Sequence, residues 1–354
     1  MHALILEDIG KIKYKETKKP IPGENEVLIK VEACGVCGSD IPRVYKDGAH
    51  NMPLILGHEF SGCVIETGKC VESALVGKRV GIFPLIPCKK CSPCKTGKYE
   101  MCKNYSYLGS RCNGGFAEYV CVPRWNIIEL PINVSYESAA MLEPMSVAVH
   151  AMRRTEPSID DVVAVCGLGT IGMLLTMFLI DRGVKRIIVI GNKDFQKKKI
   201  LELGIKEENY CDSRVQNPLD FILAATDNEG ADVFYECVGR NETVSLAVQC
   251  AAAGGNVCFV GNPASDMLFD KNVYWKILRN QIRITGTWNS TYLGEDYNGD
   301  YEDDWHYVLR RLETGRINPE ALITHKCTLD TTIKGMEIMR DKSEDYIKVM
   351  CCKF

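Results

Sequence analysis

The sequence predicts two domains of different class, an all-β barrel-like domain and a parallel α/β domain. Short β-type runs separated by Gly- and Pro-containing turns fill the first third of the chain. From residue 160 onward, buried strand patterns alternate with helical ones, and a glycine-rich turn follows the first of those strands. At 354 residues the chain is too long for one compact core and has the length of two domains.

The all-β domain is expected over residues 1–150, and residues 289–354 are expected to return to it. Its strand patterns alternate short β-type runs with turn signals such as Pro22-Gly23. The predicted strands are Val27–Val31, Gly62–Thr67, Arg79–Phe83 and Ala117–Val122, and a final strand is predicted over Tyr346–Cys352.

A candidate metal site lies inside this domain, between residues 37 and 59. Cys37, His58 and Glu59 supply a thiolate, an imidazole and a carboxylate, which suit Zn²⁺ with a fourth position open for water or substrate. Asp40 adds a carboxylate that can orient a ligating imidazole, and Ser39 adds a hydroxyl that can pass on a substrate proton. A lone cysteine or histidine is more often a core residue, but these groups occur together. The set therefore predicts a catalytic site.

A second metal site is predicted from four cysteines within fifteen residues, Cys88, Cys91, Cys94 and Cys102. Four thiolates at this spacing can enclose one ion in a tetrahedral site, which leaves no room for substrate. The segment is rich in Lys and Pro and can bury little apolar core. We therefore expect this zinc to fold the loop, since chance clustering is the weaker explanation.

Composition excludes several functions. With a net charge of −3 and no basic run, the chain has no electrostatic footprint for nucleic acid. The longest strongly apolar run, Met173–Ile180, is too short to span a bilayer, and the first residues lack the order of a secretory signal. Eighteen cysteines in a long chain of this kind indicate reduced thiols, so a cytoplasmic location is expected.

The α/β domain, expected over residues 151–288, begins with the apolar strand Val162–Cys166. Gly167-Leu-Gly169-Thr-Ile-Gly172 follows, and an apolar helix continues over Ile171–Ile180. In this strand-turn-helix context the glycines permit a tight turn and close approach of a pyrophosphate to a helix N-terminus, which predicts a Rossmann domain. The later strands are predicted over Arg186–Ile190, Val233–Cys237 and Val257–Val260, with helices over Gln196–Leu203 and Thr243–Ala252. The predicted cofactor-binding residues are Gly167, Gly169, Thr170, Ile171, Gly172, Gly191, Asn192, Lys193, Val238, Gly239 and Gly261.

The end of the second strand lacks the acid that usually binds the adenosine ribose, because Gly191-Asn192-Lys193 stands there. A glycine leaves room for a 2′-phosphate and a lysine supplies charge, so the sequence favours NADP. The alternative is that Lys193 is a solvated surface residue and that NAD binds through backbone contacts.

Taken together, these motifs resemble the zinc-dependent medium-chain dehydrogenases over essentially the whole chain. The motifs that carry this resemblance occur in order as Cys37-Gly-Ser-Asp, Gly57-His-Glu-Phe-Ser-Gly62, the four-cysteine loop, Gly114-Gly-Phe-Ala-Glu-Tyr119, Glu143-Pro and Gly167–Gly172. Less specific motifs are similar to the polyol dehydrogenase branch, and most of all to galactitol-1-phosphate 5-dehydrogenases. They are Asp40-Ile-Pro-Arg, Lys46-Asp-Gly-Ala-His50, Gly109-Ser-Arg111, Lys276-Ile-Leu-Arg279 and Gly286-Thr-Trp288.

The resemblance implies a GroES-like catalytic domain, two zinc ions per chain and a homodimer or homotetramer. It implies that Cys37 and His58 ligate the catalytic zinc and that Glu59 and Glu143 approach it directly or through water. From its position before a helix-opening proline alone, Glu143 would be a capping acid. One departure from sorbitol dehydrogenase is Pro42, which stands where a histidine would extend the proton relay.

The expected reaction is reversible oxidation of a secondary alcohol of a sugar-alcohol phosphate, of the galactitol 1-phosphate to tagatose 6-phosphate type, with NADP or NAD. Arg43, Lys46 and Arg111 are the candidate phosphate-binding residues, because an arginine fork can pair two phosphate oxygens. One alternative is an unphosphorylated polyol or secondary alcohol, of the sorbitol or iditol type. Another is a zinc-stabilised dinucleotide sensor without turnover, which would not need Cys37 and His58 together with Ser39 and Glu59.

Overall fold

The computed structural model describes residues 1–294, 297, 299 and 302–354. Two compact units divide the chain, one formed by residues 1–146 with 290–354 and the other by residues 147–289. No helix in the described part of the chain is both long enough and apolar enough to cross a membrane.

The strands are numbered in chain order. They are β1 (His2–Asp8), β2 (Lys11–Glu16), β3 (Glu26–Val36), β4 (Leu54–Ile55), β5 (Glu59–Thr67), β6 (Arg79–Ile82), β7 (Leu85–Ile86), β8 (Ser106–Tyr107), β9 (Tyr119–Pro123), β10 (Ile127–Glu129), β11 (Val162–Cys166), β12 (Arg186–Gly191), β13 (Tyr210–Asp212), β14 (Ala231–Glu236), β15 (Ala251–Phe259), β16 (Arg283–Gly286), β17 (Ile323–Thr328) and β18 (Lys348–Lys353).

The helices are likewise numbered in chain order. They are α1 (Asp40–Pro42), α2 (Ser92–Lys95), α3 (Tyr136–Ala140), α4 (Leu142–Thr155), α5 (Thr170–Arg182), α6 (Asp194–Glu202), α7 (Pro218–Ala225), α8 (Asn241–Cys250), α9 (Lys271–Arg279), α10 (Asp304–Glu313) and α11 (Thr332–Asp341). A π-helical turn, Arg43–Asp47, follows α1, and 3₁₀ turns cover Ser73–Leu75, Tyr99–Met101, Arg124–Asn126, Glu207–Asn209 and Pro319–Leu322.

The first unit is built around a seven-stranded sheet with the order β10-β6-β5-β3-β18-β17, in which β9 also pairs with β3. The central strand β3 is long and almost entirely buried, because its residues pack on both faces. Strand β18 pairs antiparallel with β3, with Cys351 opposite Cys34, and parallel with β17. Residues near the end of the chain therefore complete the sheet that begins near residue 26.

The second unit contains a six-stranded sheet with the order β13-β12-β11-β14-β15-β16, and every pair in it is parallel. Strand β11 is buried along its whole length, as expected for a central parallel strand with both faces covered. Helix α5 follows it and ends at Gly183, whose left-handed φ of 87° closes the helix. This arrangement places the glycine-rich turn at the carboxyl edge of the sheet.

Most predicted elements of the second unit are confirmed, and β11 has the predicted bounds. The helix predicted over residues 243–252 instead ends at Cys250, and β15 begins at Ala251. The run Ala251-Ala-Ala-Gly-Gly255 contains none of the β-branched or aromatic residues that indicate strands, so its strand content was missed. In the structure this run is the first part of β15, which pairs with β14. Tertiary context therefore overrides the low strand propensity of these residues.

Candidate active site

Cys37, His58 and Glu59 come together where β3 ends and β5 begins. In the antiparallel pair Gly35 lies opposite Glu59, so the residue that follows β3 is brought beside the residue that precedes β5. One ligand atom from each of the three side chains lies within 4.8 Å of the other two. The predicted thiolate, imidazole and carboxylate are therefore close enough to share one ion.

The electrostatics of this cluster fit a cation. Burial alone would lower the pKa of His58, but Asp40, Cys37 and Glu143 outweigh burial and raise it to about 10. Burial raises the pKa of Glu143 to about 7, and the neighbouring Glu59 acts in the same direction. Negative charge is thus concentrated in a buried place, where an ion such as Zn²⁺ would relieve it.

Asp40 is fully buried at the base of the cluster. Its Oδ2 accepts a hydrogen bond of 3.0 Å from the Cys37 backbone N–H, and its Oδ1 accepts one of 2.7 Å from Arg43 Nη1. The His58 Nδ1 atom is 3.6 Å from Asp40 Oδ1, too far for a hydrogen bond, and it has no hydrogen-bond partner among the described residues. The predicted orienting carboxylate therefore acts on His58 through its charge at this distance.

Ser39 lies between the cluster and an open cavity. Its hydroxyl donates a hydrogen bond of 3.3 Å to Cys37 Sγ. The cavity has a volume of about 340 Å³. Its lining residues are Ser39, Pro42, Arg43, Asp47, Gly48, Ala49 and His50. A small polar molecule in this cavity would touch the hydroxyl that borders the thiolate.

Glu59 has a partner that the sequence motifs did not indicate. Lys348, on β18, donates hydrogen bonds from Nζ to Glu59 Oε2 and, at 3.1 Å, to the Val36 carbonyl. The two side chains cross above Gly35, where an added Cβ would overlap Glu59 Oε2 and lie 2.7 Å from Lys348 Cε. A lysine within the apolar sequence run Ile347-Lys-Val-Met350 was the available signal for this pair.

Glu143 lies outside the group of three ligand atoms but close to it. Its Oε1 accepts a hydrogen bond of 3.0 Å from the Tyr107 hydroxyl, and the Tyr107 ring meets the His58 ring edge-on at 5.8 Å between centroids. Burial, then the charge of Glu143, raises the pKa of Tyr107 well above its usual range, so the phenol is a donor. Tyr107 is a further site residue that sequence reasoning missed, because no motif contains it.

The four cysteines of the loop also come together. All four sulfur atoms lie within 4.8 Å of one another. The Cys91 Sγ atom is 3.4 Å from Cys94 Sγ and 3.9 Å from Cys102 Sγ, too long for a disulfide bond. A tetrahedral zinc with Zn–S bonds of about 2.3 Å would separate its sulfurs by roughly 3.8 Å. Backbone N–H groups lower the pKa of Cys91 to about 6, which favours a thiolate, whereas burial raises that of Cys94 to about 12. The loop therefore fits a zinc ion.

The three candidate phosphate residues have different surroundings. Arg43 lines the cavity and is held by Asp40, whereas Lys46 is exposed on the π-helical turn and is not part of the lining. Arg111 donates to the Tyr105 carbonyl at 3.2 Å, and its guanidinium lies 4.2 Å from the centre of the Tyr105 ring. Of the three candidates, Arg43 lines the cavity beside Ser39, and Lys46 and Arg111 do not.

The predicted cofactor residues gather at the carboxyl edge of the six-stranded sheet. Gly167 follows β11 with a φ of 97°, and a Cβ there would meet Val238 Cγ2 at 2.6 Å. Glu236 Oε1 accepts 2.8 Å hydrogen bonds from the backbone N–H groups of Val238 and Gly239, which fixes the second turn. The remaining predicted residues are Gly169, Thr170, Ile171 and Gly172 at the start of α5, Gly191 at the end of β12, Asn192 and Lys193 between β12 and α6, and Gly261 after β15.

Comparison with known proteins supports the same combination of domains. Residues 23–132 match the family model "Alcohol dehydrogenase GroES-like domain", and residues 170–312 match "Zinc-binding dehydrogenase". The predicted GroES-like barrel with a Rossmann domain is thereby confirmed.

Individual relatives extend over nearly the whole chain. Galactitol 1-phosphate 5-dehydrogenase of Escherichia coli (strain K12) is 30% identical, over 94% of this chain and 94% of its own. Sorbitol dehydrogenase of Halalkalibacterium halodurans is 32% identical, over 96% and 95%. A crystal structure from Sinorhizobium meliloti 1021, described as a zinc-binding dehydrogenase bound to NADP, has a TM-score of 0.89 at 27% identity and covers 99% of this chain and 98% of that one.

Proposed function

Because the chain belongs to the zinc-dependent medium-chain dehydrogenase family, we propose that it oxidises a secondary alcohol of a sugar-alcohol phosphate to a ketone, reversibly, with NADP as hydride acceptor. The observation that carries the proposal is the cluster of Cys37, His58 and Glu59, whose thiolate accepts a hydrogen bond from Ser39, a residue that lines an open cavity. A sensor without turnover would not need this ligand cluster together with a hydroxyl that contacts its thiolate.

Two zinc ions fit the residues present. Cys37 and His58, with Glu59, would hold the catalytic ion, and the cysteine loop would hold the structural one. When bound, the catalytic zinc supplies Lewis acidity that makes a substrate hydroxyl easier to deprotonate. Glu143, held by Tyr107, keeps a second carboxylate next to the cluster.

The protein's own part in proton transfer begins at Ser39. Its hydroxyl borders both the cluster and the cavity, so it can take a proton from a substrate hydroxyl and pass one on. Pro42 lines the same cavity and cannot carry a proton. The lining also contains His50 and Asp47, which are the proton acceptors available beyond Ser39.

The phosphate of the substrate is proposed to meet Arg43 first. Arg43 lies in the lining, and its bond to buried Asp40 fixes the guanidinium in place. Arg111 and Lys46 are proposed as outer contacts, with Arg111 oriented by the Tyr105 ring. Galactitol 1-phosphate is the model substrate, since the 30% identical relative bears its name.

An unphosphorylated polyol is the second candidate. The bond from Arg43 to Asp40 satisfies part of the charge that a phosphate would need. A sorbitol dehydrogenase is also as similar to this chain as the relative named for galactitol 1-phosphate. Both candidates use the same chemistry at Ser39 and differ at the far end of the substrate.

The deciding experiment is an initial-rate panel of galactitol 1-phosphate, sorbitol 6-phosphate, galactitol and sorbitol, each with NADP⁺ and NAD⁺. The proposal expects the highest kcat/KM with a phosphate and NADP⁺. Equal or higher kcat/KM with the free polyol would favour the second candidate. Cofactor binding without reduction on any alcohol would favour the sensor.

We also propose a homodimer, formed through the open edge of the six-stranded sheet. Strand β16 is the edge strand and is mostly exposed, and next to it in sequence α9 exposes Trp275 and Leu278, at 48% and 51%. An exposed edge strand with apolar side chains is a pairing surface, and a second copy offers the same surface. Light scattering should show a dimer for the wild type and a monomer for Ile284→Lys, whereas Ile21→Lys, at an isolated exposed site, should remain a dimer.

The proposed location is the cytoplasm. None of the eighteen cysteines forms a disulfide bond in the structure, and several of them are buried. Thiols persist in reducing compartments.

A further inference from the structure

Gly191 lacks a side chain at a position where another side chain already fills the space. It is the last residue of β12, and a Cβ built on it would lie 2.9 Å from both Leu168 Cδ1 and Tyr210 Oη. The same Cβ would lie 3.2 Å from Tyr210 Cε2. Real Cβ atoms essentially never approach other atoms within 3.0 Å. Any side chain here, including the usual ribose-binding acid, would therefore require both Tyr210 and the end of Leu168 to move.

The register of the sheet explains how Tyr210 reaches this position. Tyr210 begins β13 and is paired with Val189 on β12. Val189 and Gly191 are two residues apart and share one face of the strand, so the tyrosine ring can extend along that face to Gly191. Ser213 ties the strands together, donating from its backbone N–H at 2.9 Å and from Oγ at 3.1 Å to the Gly191 carbonyl.

The group in this space is neutral. Tyr210 is 4% exposed, and its hydroxyl has no hydrogen-bond partner in the described part of the chain. Burial raises the pKa of Tyr210 to about 12, so the phenol carries its proton near neutral pH. An aspartate at position 191 would bring negative charge to the end of β12, and the tyrosine brings none.

A guanidinium lies at the same end of the sheet. Arg214 is paired with Asp212 at 2.6 Å and with Asp194, which begins α6. Asp212 is the register partner of Gly191, so the pair brings the guanidinium to the strand end beside Gly191. The two carboxylates hold the arginine in place, and a phosphate dianion can compete for the same planar fork.

We propose that Tyr210 is a specificity-determining residue of the dinucleotide site, which excludes an acid from the end of β12 and leaves Arg214 to meet a ribose 2′-phosphate. The inference rests on the NADP preference proposed above and assigns it to residues outside the glycine-rich motif. Lys193, which precedes α6, is then an auxiliary charge.

The test compares Gly191→Asp, Tyr210→Ala and the double variant. For each variant we would measure the melting temperature. The dissociation constants for NADPH and NADH would be measured by fluorescence titration. Gly191→Asp alone should lower the melting temperature and weaken both cofactors, because the carboxylate has no space. In the double variant only the flexible end of Leu168 must shift to admit the carboxylate. The NADH:NADPH affinity ratio should then rise about 10–100-fold over Tyr210→Ala, the range of one to two charge-assisted hydrogen bonds.

The two halves of the proposal have separate outcomes. If Gly191→Asp alone gained NADH affinity with an unchanged melting temperature, Tyr210 would not block the acid. Arg214→Ala should weaken NADPH about tenfold or more and leave NADH unchanged, as expected for loss of a phosphate contact. Lys206→Ala, an exposed control after α6, should change neither affinity. Equal loss of both cofactors in Arg214→Ala would overturn its role.

Failure of the parent proposal can be recognised separately. A wild-type enzyme that binds NADH as tightly as NADPH would refute the NADP preference. The coupling of melting temperatures between positions 191 and 210 would still report whether Tyr210 fills the space, since that coupling needs no cofactor. Tyr210→Phe keeps the ring at 3.2 Å and removes the hydroxyl at 2.9 Å, so it separates the part of the block that is due to the hydroxyl from the part that is due to the ring.

Discussion

Lys348 and Glu59 form an ion pair in which each side chain is only 2% exposed, although the two residues are 289 positions apart in the sequence. Burial alone would lower the pKa of Lys348, but Glu59 and Cys37 outweigh it and raise that pKa, so the lysine is charged. A metal-site carboxylate that is already paired with a lysine is held in position and has part of its charge neutralised. We therefore expect Glu59 to be a weaker zinc ligand than Cys37 or His58.

The first prediction concerns this pair. Lys348→Met leaves the Glu59 charge buried without its partner, and removal of one member of a buried pair costs about 3–5 kcal/mol. We expect a lower melting temperature and altered zinc affinity, measured by thermal unfolding and by competition with a chelator. Lys353→Met, at an exposed position on the same strand, is the matched control. Adding Glu59→Gln should restore part of the stability, and failure of that rescue would mean that the pair is not the cause.

The second prediction separates the open site from the fold. Cys37→Ser should abolish turnover and remove one of the two zinc ions while the melting temperature and NADPH binding stay close to wild type. The reason is that Cys37 follows the end of β3 and is no part of its core packing. Metal analysis, rates and fluorescence titration check the three parts. Cys70→Ser, at an exposed cysteine, should change none of them, and retained activity in Cys37→Ser would contradict the assignment of the catalytic ligand.

The third prediction concerns the closed site. Cys91→Ser removes one sulfur from a loop with little apolar core, so the loop should lose its zinc and its order. A loss of several kcal/mol would lower the melting temperature by roughly 10 °C, since 1 kcal/mol corresponds to about 2–4 °C in domains of this size. Full stability and full metal content in this variant would exclude a structural zinc.

The fourth prediction distinguishes the two arginines. Arg111→Ala should raise the KM for a polyol phosphate about tenfold or more and leave the unphosphorylated polyol unchanged, because the lost contact is far from the reacting carbon. Arg43→Ala should affect both substrates, because it also leaves buried Asp40 without the partner that holds it. If the kinetics of both variants were unchanged, the substrate phosphate would not bind at these two arginines. Lys46→Ala tests the outer contact in the same assay.

Sequence reasoning found those parts of the molecule whose determinants are local. The strand, glycine turn and helix from Val162 to Ile180 are contiguous, and so are the cysteines of the loop, so spacing alone predicted them. The proximity of Cys37 and His58 was also predicted, because the segment between them is short. The register of β3 with β5 brings the two ends of that segment together.

The missed residues depend on register between distant strands. Lys348 meets Glu59 only because β18 pairs with β3, and Tyr107 reaches Glu143 across 36 positions. In the same way, the absence of an acid at Gly191 was visible in the sequence, but the tyrosine that fills the space was not. Such contacts follow from tertiary packing, which no local motif encodes.

The position of β18 within the first sheet also determines the order of events during synthesis. A ribosome releases residues 147–289, which form a unit of their own, before it reaches residues 348–353. Until those last residues emerge, β3 lacks the neighbour that carries Lys348, and Glu59 has no counter-charge. A nascent chain can therefore complete its nucleotide-binding unit before Lys348 has been synthesised, so Glu59 is expected to gain its counter-charge only after that unit has formed.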